Sequence, residues 1–441
     1  MNPYVQYMYS YPHKTAYRPL EDVYLKEYIH FLKGSENSLY IHIPFCQAKC
    51  GYCNLFSVTG QDAQDMDRYL DAVKRQGIQY QQLLDSVQAE FCELVIGGGT
   101  PLSLLPGQLE RMFGMAADLF AFTKDRQIVA ETAPNQTDAP RLQALKQAGV
   151  TRVSMGIQSF HDRELAVLGR RHCAQKAREA LHLLKSSDFA CVNTDFIYGI
   201  PGQTVNSLLE SLKEALTFEP DEIFLYPLYV KHGVGMQYQG IRPDAEQTYL
   251  QYQAAGSFLK SEGYRQDSMR RFVRRKEEKT YVECGFGTSL ALGCGGRSYL
   301  GNLHFCSPYA VTRQECLTRL HEYENTTDFT RISHGILLSQ EELRRRYLIR
   351  HLFLMPGLSL EGYQKAFGSS AIADFPILQD WTDSGYITLQ KKRSAEYLTL
   401  TEAGLGYSDY LGPQLISASV QAAMEEWEEL YDRLPRQSEK L

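Results

Sequence analysis

The sequence has no apolar stretch approaching the roughly 18 residues that a membrane-spanning helix needs, so no membrane span is expected. Basic residues are not in excess, because 46 Lys and Arg stand against 52 Asp and Glu for a formal net charge of −6, and nucleic acid is not an expected partner. There is no internal repeat, and 44% hydrophobic residues exclude a disordered composition. The first 20 residues lack the apolar segment of a secretory signal. We therefore expect a cytoplasmic protein.

The 441 residues are enough for two or three domains. Disulfides are not expected among the ten cysteines, because the cytosol keeps thiols reduced. Seven of these cysteines are scattered along the chain, and the other three, Cys46, Cys50 and Cys53, lie within eight residues. This cluster is the first candidate for chemistry.

Short β-branched runs alternate with amphipathic stretches from about residue 38 to 230. The predicted strands are Leu39–Ile43, Leu94–Ile96, Ile128–Glu131, Arg152–Gly156, Val192–Ile197 and Glu222–Tyr226. The predicted helices between them lie around 66–86, 107–121, 139–147, 174–185 and 205–217. This alternation is typical of a parallel α/β unit. Six strands are too few for a complete eight-stranded barrel, so we expect a partial barrel or an open sheet.

The remaining chain predicts an extension and an appendage. A helix is expected at about 244–262, and the Gly- and Cys-rich stretch 284–306 is expected to extend the sheet. Helices at 341–354 and 359–367, followed by a hairpin from Trp381–Gln390 and Ala395–Leu400, predict a small winged-helix-like domain. The expected divisions are 1–37 (a Tyr-rich segment), 38–235 (the barrel), 236–335 (linking helix and sheet extension) and 336–441 (the winged-helix-like domain).

The three clustered cysteines follow the first predicted strand directly, with the spacing CxxxCxxC. Three thiolates can hold three irons of a [4Fe–4S] cluster and leave the fourth iron open to another ligand. A structural zinc site normally has four protein ligands, and no fourth Cys or His follows at the usual spacing. The nearest nitrogen donor, His42, lies within the strand. The spacing therefore favours an iron–sulfur cluster.

Other polar and glycine residues fall at successive strand ends. They are the Gly97–Thr100 run after the second strand, Glu131 at the third, Gln158 at the fourth with Arg170 beyond it, and Asp195 in the fifth. Ligands of parallel α/β units gather at the carboxyl ends of the strands. Each of these side chains alone is more typical of a cap or a buried hydrogen bond. Their succession favours one functional site.

The wider set of motifs resembles the radical S-adenosylmethionine (SAM) enzymes, and within them the oxygen-independent coproporphyrinogen III oxidase branch. The motifs are YIHIPFC (40–46), GGGTP (97–101), SMGIQSF (154–160), LGRRH (168–172) and DFIYGIPGQT (195–204). This branch also contains heme chaperones and C-methyltransferases. The resemblance implies a partial (β/α)6 TIM-type barrel, a [4Fe–4S] cluster and one or two bound SAM molecules.

The resemblance also implies residue roles. Cys46, Cys50 and Cys53 would ligate the cluster. The residues that would contact SAM are Tyr40, Tyr52, Gly98, Gly99, Thr100, Glu131, Gln158, Arg170 and Asp195. An electron would cleave SAM reductively, and a 5′-deoxyadenosyl radical would abstract a substrate hydrogen. The implied partners are a small-molecule substrate such as a tetrapyrrole, and an electron donor such as flavodoxin or ferredoxin.

The sequence also departs from the branch. Some oxidases carry a further cysteine two residues beyond the triplet, where this chain has Leu55. The heme chaperones carry a His-Asn-x-x-Tyr-Trp motif, and nothing like it occurs between Tyr264 and Cys284. The expected reaction is oxidative decarboxylation of a tetrapyrrole propionate. A C-methyltransferase using two SAM molecules and a non-catalytic heme-binding chaperone remain as alternatives.

Three features stay open at this point. Cys284 and Cys294 are either substrate-side thiols, cluster ligands or, as we favour, small buried residues. The basic run 270–276 is either a solvated face, which we favour, or a site for substrate carboxylates. The tyrosines of the N-terminal segment, with His13 and Lys14, cover either the active site or the bottom of the barrel. They are Tyr4, Tyr7, Tyr9, Tyr11 and Tyr17.

Overall fold

The protein was analysed as a computed structural model, which describes residues 2–8, 10–274, 287–392 and 395–433, with side chains as far as Leu430. The first half of the chain forms β1 (Arg18–Pro19), β2 (Gly34–Ile43), β3 (Phe45–Cys46), β4 (Val58–Thr59), α1 (Ala63–Leu84), β5 (Ala89–Gly98), α2 (Pro106–Leu119), β6 (Phe122–Thr132), α3 (Ala139–Gln147), β7 (Arg152–Gln158), α4 (Asp162–Val167), α5 (Ala174–Ser186), β8 (Cys191–Tyr198), α6 (Val205–Leu216) and β9 (Glu222–Pro227).

The second part forms α7 (Gly235–Tyr238), α8 (Ala245–Ser261), β10 (Arg265–Gln266), β11 (Arg271–Val273), β12 (Ser289–Leu292), β13 (Ser298–Leu300), β14 (Leu303–Phe305), α9 (Arg313–Glu324) and β15 (His334–Leu337). The last part forms α10 (Gln340–Leu352), β16 (Leu358–Ser359), α11 (Leu360–Phe367), α12 (Ala371–Asp374), α13 (Ile377–Asp383), β17 (Ile387–Lys392), β18 (Ala395–Leu400), α14 (Glu402–Gly406), α15 (Ser408–Leu411) and α16 (Ala418–Arg433).

Six parallel strands form the centre of one large sheet, in the order β2-β5-β6-β7-β8-β9. Their central residues are apolar and buried, and Leu39, Ile41 and Ile43 of β2 have no exposed surface. Helices such as α1, capped by reciprocal bonds between Asp62 and Asp65, connect the strands. These elements confirm the six predicted strands and the predicted α/β class.

The described strands do not close this unit into a full barrel. β2 pairs on its outer side with β12, and β9 pairs with β11. Beyond β12 the sheet continues through β13, β14 and β15, which confirms that the stretch after residue 284 extends it. The carboxyl ends of the six parallel strands therefore form one open mouth, and their amino ends form the opposite floor.

The C-terminal elements form the predicted winged-helix-like domain, with an antiparallel sheet in the order β16-β18-β17. Its core contains Leu348, Tyr363 and Leu398, and Tyr11 from the N-terminal segment packs into it. One detail of the hairpin prediction is wrong. Trp381 lies in α13 rather than in a strand, because its ring packs into this core from the helix. Within the described ranges, every helix is too short or too polar to span a bilayer.

Candidate functional site

The cysteine loop leaves β2 at the mouth of the sheet and is tied down at three places. β3 pairs with β4 on the other side of the loop. The Gly51 N–H donates to the carbonyl of Leu168 (3.0 Å), and the Gly51 carbonyl accepts from the N–H of Met236 (2.8 Å). The site therefore begins with a loop whose backbone is fixed by distant parts of the barrel.

Electrostatics around the three thiols depend on burial and on two cations. Burial raises the pKa of Cys46 to about 12 and also raises the pKa of Cys53, which Lys49 and Arg170 partly oppose. Arg170 Nη1 lies 3.4 Å from Cys50 Sγ and donates to it. Metal ligation requires the thiolate, so a metal bound by Cys46 and Cys53 takes the place of their protons.

The donor set of the cysteine loop suits an iron–sulfur cluster. Cys46, Cys50 and Cys53 lie within eight residues, and Cys50 and Cys53 are both close enough to Cys46 to contribute to its raised pKa. Three thiolates can each bind a different iron of a [4Fe–4S] cluster. These residues therefore fit the cluster that the spacing predicts.

The glycine run after β5 packs tightly against this loop. A Cβ at Gly99 would lie 2.8 Å from the carbonyl oxygen of Phe45 and 2.9 Å from Cys46 Sγ. The N–H of Gly98 donates to Glu131 Oε2 (3.2 Å), that of Gly99 to the Ile43 carbonyl (2.8 Å), and that of Thr100 to the Phe45 carbonyl. These three N–H groups therefore bond within the protein and fix the glycine run against the cysteine loop.

Tyr40 is held by His42, which the sequence analysis considered only as a nitrogen donor near the cysteines. His42 Nε2 lies 2.9 Å from the Phe56 carbonyl and must donate to it, so Nδ1 accepts from the Tyr40 hydroxyl at 3.2 Å. Burial lowers the pKa of His42 to about 4, which keeps the ring neutral. The sequence could have indicated this contact, because Tyr40 and His42 are two residues apart in a strand and so lie on the same face of it.

Two carboxylates lie at the mouth with few partners. Burial raises the pKa of Glu131 to about 7, and nearby Asp195 adds to this shift while the Gly98 N–H opposes it. Burial also raises the pKa of Asp195 to about 6, although Asp195 accepts from the Asn193 amide (2.8 Å) and the Ser154 hydroxyl (3.3 Å). Both groups can change protonation near neutral pH.

Arg170 has unused hydrogen-bonding capacity, and Gln158 lies beside it. Gln158, the last residue of β7, has a φ of 73°. A Cβ at Gly156 would lie 2.7 Å from Gln158 Nε2 and 3.6 Å from Arg170 Nη2, so the two side chains are neighbours. Arg170 Nη2 donates to the Gly156 carbonyl, whereas its buried Nε has no described partner. Buried donors without partners are rare in folded proteins, so Arg170 fits a polar ligand.

The structure brings all the predicted site residues to one mouth. Cys50, Arg170 and Gly156 are joined by hydrogen bonds, as are Gly98 and Glu131. Tyr52 is partly buried near Cys50, Arg170 and Asp195, and loss of solvent around its hydroxyl raises its pKa well above the ordinary value. Cys46 Sγ lies 3.7 Å from Thr100 Oγ1. Their individual roles toward SAM stay predictions.

The N-terminal segment lies across this mouth and not at the floor. The Tyr4 ring packs on Tyr198 at the end of β8, and the Tyr7 ring packs on Tyr226 near the end of β9. Lys14 Nζ lies 4.1 Å from the ring of Tyr309, whose hydroxyl accepts from Asn54 just beyond Cys53. The segment therefore covers the site. Tyr9 lies outside the described residues.

The interpretation of residues 270–276 as a solvated face is wrong for its first two members. Arg270 is 6% exposed and pairs with Asp409, and Arg271 is 3% exposed and pairs with Glu222. Residues 275 and 276 lie outside the described residues. So does Cys284, whereas Cys294 is 1% exposed and is a small buried residue beside Ser307.

Comparison with known proteins connects this geometry to a family. A sequence profile described as "Radical SAM superfamily" matches residues 40–215. Heme chaperone HemW of Haemophilus influenzae is 31% identical over 270 residues, which are 60% of this chain and 70% of that protein. Oxygen-independent coproporphyrinogen III oxidase of Synechocystis sp. is 28% identical over 363 residues, which are 78% of this chain and 76% of that protein.

A solved structure shares the fold over nearly the whole chain. Coproporphyrinogen III oxidase (HemN) from Escherichia coli, described as a radical SAM enzyme, superposes with a TM-score of 0.76 at 22% identity, covering 96% of this chain and 97% of that chain. This match confirms the predicted barrel-like architecture. Because the profile spans the cysteine loop and strands β5 to β8, and a 31% identical relative aligns over most of its length, the chain belongs to the radical SAM superfamily, in the oxygen-independent coproporphyrinogen III oxidase-like branch.

Proposed function

We propose that the protein is a radical SAM oxidoreductase that oxidatively decarboxylates a propionate side chain of a tetrapyrrole. The observation that supports this most is the set of under-used polar groups at the mouth, beside three cysteines that fit a [4Fe–4S] cluster. The names of the Synechocystis and Escherichia coli relatives, both oxygen-independent coproporphyrinogen III oxidases, support the choice of substrate.

In this proposal the cluster is held by Cys46, Cys50 and Cys53. When bound, the reduced cluster and SAM supply one-electron cleavage of a carbon–sulfur bond and removal of a hydrogen atom from the substrate. The residues proposed to hold SAM are Tyr40, Tyr52, Gly98, Gly99, Thr100, Glu131, Gln158, Arg170 and Asp195. An electron donor such as flavodoxin or ferredoxin reduces the cluster.

The chain itself contributes position, charge and exclusion of water. Arg170 donates to Cys50 Sγ and so brings a fixed positive charge beside one cluster ligand. Glu131 and Asp195 offer carboxylates to hydroxyl or ammonium groups of SAM. Tyr4 and Tyr7 cover the mouth with aromatic surface, which keeps water away from a reactive species.

A heme-binding chaperone is the second candidate, and the names of two relatives favour it. The Haemophilus influenzae and Bacillus subtilis proteins are both heme chaperone HemW. Residues 264–284 argue against a chaperone, because the heme-chaperone motif requires His, Asn and Trp and this stretch contains none of them. A C-methyltransferase that uses two SAM molecules is a further outcome that the experiment below separates.

The test is an anaerobic assay of the reconstituted protein with dithionite, SAM and coproporphyrinogen III. We expect 5′-deoxyadenosine, carbon dioxide and a vinyl product, all of which depend on the tetrapyrrole. The Cys50→Ala variant should lose the brown cluster absorbance and all 5′-deoxyadenosine, whereas Cys173→Ala, at an exposed cysteine, should keep both.

The products distinguish the alternatives. S-adenosylhomocysteine formed together with 5′-deoxyadenosine would instead indicate methyl transfer. Tight heme binding without 5′-deoxyadenosine, from protein with an intact cluster, would indicate a chaperone. Cleavage of SAM that survives in Cys50→Ala would contradict the proposed cluster chemistry itself.

A further inference from the structure

Asn193 lies in β8 two residues before Asp195, so the two side chains share one face of the strand. Asn193 is 1% exposed. Its Nδ2 donates to Asp195 Oδ1 at 2.8 Å and to the hydroxyl of Ser154 at 2.7 Å, and Ser154 lies opposite Asn193 on β7. Ser154 in turn donates to Asp195 Oδ2 at 3.3 Å. The three side chains therefore form one closed set of hydrogen bonds.

The orientation of the Asn193 amide is set by the carboxylate beside it. An ionised carboxylate only accepts hydrogen bonds, so Asn193 must turn Nδ2, and not Oδ1, toward Asp195. This leaves Asn193 Oδ1 as a buried acceptor with no partner in the parts of the chain that the structure describes. An unpaired buried polar atom costs the fold free energy, and an apolar side chain of similar shape avoids that cost. We infer that Asn193 serves the carboxylate rather than the packing of β8.

Asp195 keeps acceptor capacity on the side of the mouth. A carboxylate has about four lone-pair positions, and Asn193 and Ser154 use two of them. Both donors precede Asp195 along the parallel strands β7 and β8, and so lie on its floor side. Within the described ranges, no Lys, Arg or His forms an ion pair with Asp195. The remaining lone pairs are therefore available to a ligand at the mouth.

We propose that Asn193 is a positioning residue, which holds the Asp195 carboxylate with its remaining lone pairs toward the mouth, where they accept hydrogen bonds from hydroxyl groups of the ligand. The identity of this ligand, SAM with its ribose hydroxyls, rests on the proposed function. An acceptor that is already held in place loses less freedom on binding, so it binds more tightly. Asn193 acts on the ligand only through Asp195.

The charge of Asp195 depends on the same contact. Burial raises the pKa of Asp195 to about 6, and the hydrogen bond from Asn193 is the largest of the effects that oppose this rise. Loss of that bond should therefore raise the pKa further. The other ionisable groups around Asp195 are Tyr52 of the cysteine loop, Glu131 of β6, Arg152 of β7 and Glu222 of β9. They are the same in wild type and in an Asn193 variant, so a comparison of the two proteins isolates the contact.

The first measurement is equilibrium binding of SAM to the reconstituted protein at pH 6.5 and 8.5. Asn193→Leu keeps the size of the side chain and removes the donor. We expect its Kd for SAM to be about 10-fold above wild type at pH 6.5, where Asp195 is then largely protonated, and closer to wild type at pH 8.5. The matched control is Thr194→Val, at a 0% exposed neighbour on the other face of β8 whose hydroxyl has no described partner. It should bind SAM as wild type does.

The second measurement is denaturant unfolding of the cluster-free protein, which needs no SAM. Because the folded-state pKa of about 6 lies above the ordinary 3.8, the Asp195 carboxyl favours folding at low pH, and this contribution is lost as the pH rises through 6. A higher pKa in Asn193→Leu enlarges the loss. Its unfolding constant relative to wild type should be about 10-fold larger at pH 8 than at pH 5, for a pKa raised by about one unit. In an Asp195→Asn background this pH dependence should vanish.

The inference is overturned if Asn193→Leu binds SAM as wild type does at both pH values. It is also overturned if the loss of affinity is the same at both, since that indicates lost packing. If Asn193→Leu does not fold, the smaller Asn193→Ala replaces it in both measurements. If wild type binds no SAM, the proposed function fails separately, and unfolding decides the role of Asn193 alone. A pH dependence that vanishes with Asp195→Asn then supports the contact, and its absence overturns it.

Discussion

The two ends of the six parallel strands both bury charged groups, but they treat them differently. At the floor, Arg152 begins β7 and donates to Glu222, the first residue of β9, at 3.0 and 2.7 Å. Arg271 donates to the other oxygen of Glu222 and to Asp267. At the mouth, Glu131 accepts one backbone hydrogen bond, from the Gly98 N–H, and none from a guanidinium group among the described residues.

The pKa values of the carboxylates at the two ends reflect this difference. Burial alone would raise the pKa of Glu222, but Arg152 and Arg271 hold it below its ordinary value. Burial raises the pKa of Glu131 to about 7, with no guanidinium bonded to it. A buried carboxylate held between guanidinium groups serves the fold, whereas one with no guanidinium bonded to it is suited to a ligand. We therefore assign the charged groups at the floor to stability of the fold and those at the mouth to ligand binding.

The largest effect is expected at the floor, from Glu222→Gln. The change removes the carboxylate between Arg152 and Arg271 and leaves buried positive charge uncompensated, so the free energy of unfolding should fall by about 3–5 kcal/mol. Denaturant unfolding of the cluster-free protein measures this. Glu219→Gln, which breaks an exposed pair with Lys185, should produce no measurable change. If Glu222→Gln is as stable as wild type, the ion pairs at the floor do not stabilise the fold, and the two strand ends do not differ in this way.

The next effect is expected at the mouth, from Arg170→Gln. The affinity of the reconstituted protein for SAM should fall about 10- to 100-fold, because a charged donor beside Cys50 is lost. Equilibrium binding of SAM measures this. The control is Arg163→Gln on α4, whose side chain is exposed and whose affinity should match wild type. If the two variants have equal affinity for SAM, Arg170 does not contribute to SAM binding.

Glu131→Gln sharpens the contrast through pH. Because the folded-state pKa of about 7 lies above the ordinary 4.5, this carboxyl favours folding fully below about pH 4.5, and that contribution is lost as the pH rises through 7. The variant should therefore unfold like wild type near pH 4.5 and be about 1–2 kcal/mol more stable at pH 8. Unfolding curves at both pH values measure this. A loss of stability at pH 8 would show that ionised Glu131 supports the fold.

These contrasts also show what the sequence could predict. The six strands were predictable because their central residues are apolar and buried. The site residues were predictable because each of them lies at or just after the end of a predicted strand. Helix α9 was not predicted, although Cys316 and Leu320 are buried in the main core and Leu317 and Tyr323 pack against it. Its apolar face is short and lies among many polar residues, so its pattern is harder to recognise than that of a buried strand.

The buried charges could not be predicted because their partners are distant in sequence. Arg152 and Glu222 are 70 residues apart, and Arg270 and Asp409 are 139 apart. A run such as Arg270–Arg271 is typical of a solvated face, and only the arrival of α15 and β9 beside it makes burial favourable. A cavity lined by Tyr7, Ser268, Arg350 and Asp409 has the same origin, since four separate parts of the chain form it.

The smallest effect is expected from Gln158→Gly, which separates strain from function at the mouth. Gln158 has a φ of 73°, a left-handed conformation that costs a residue with a side chain about 1 kcal/mol and costs glycine little. Releasing this strain should offset the loss of a buried side chain, so the free energy of unfolding should change by less than about 1 kcal/mol, while SAM affinity falls about 10-fold. Gln88→Gly, at an exposed residue with a φ of 53°, should gain slightly in stability and bind SAM as wild type does. If Gln158→Gly is instead strongly destabilised with unchanged SAM affinity, the left-handed conformation serves the fold. The mouth end of β7 then has a structural role, as the charged groups at the floor do.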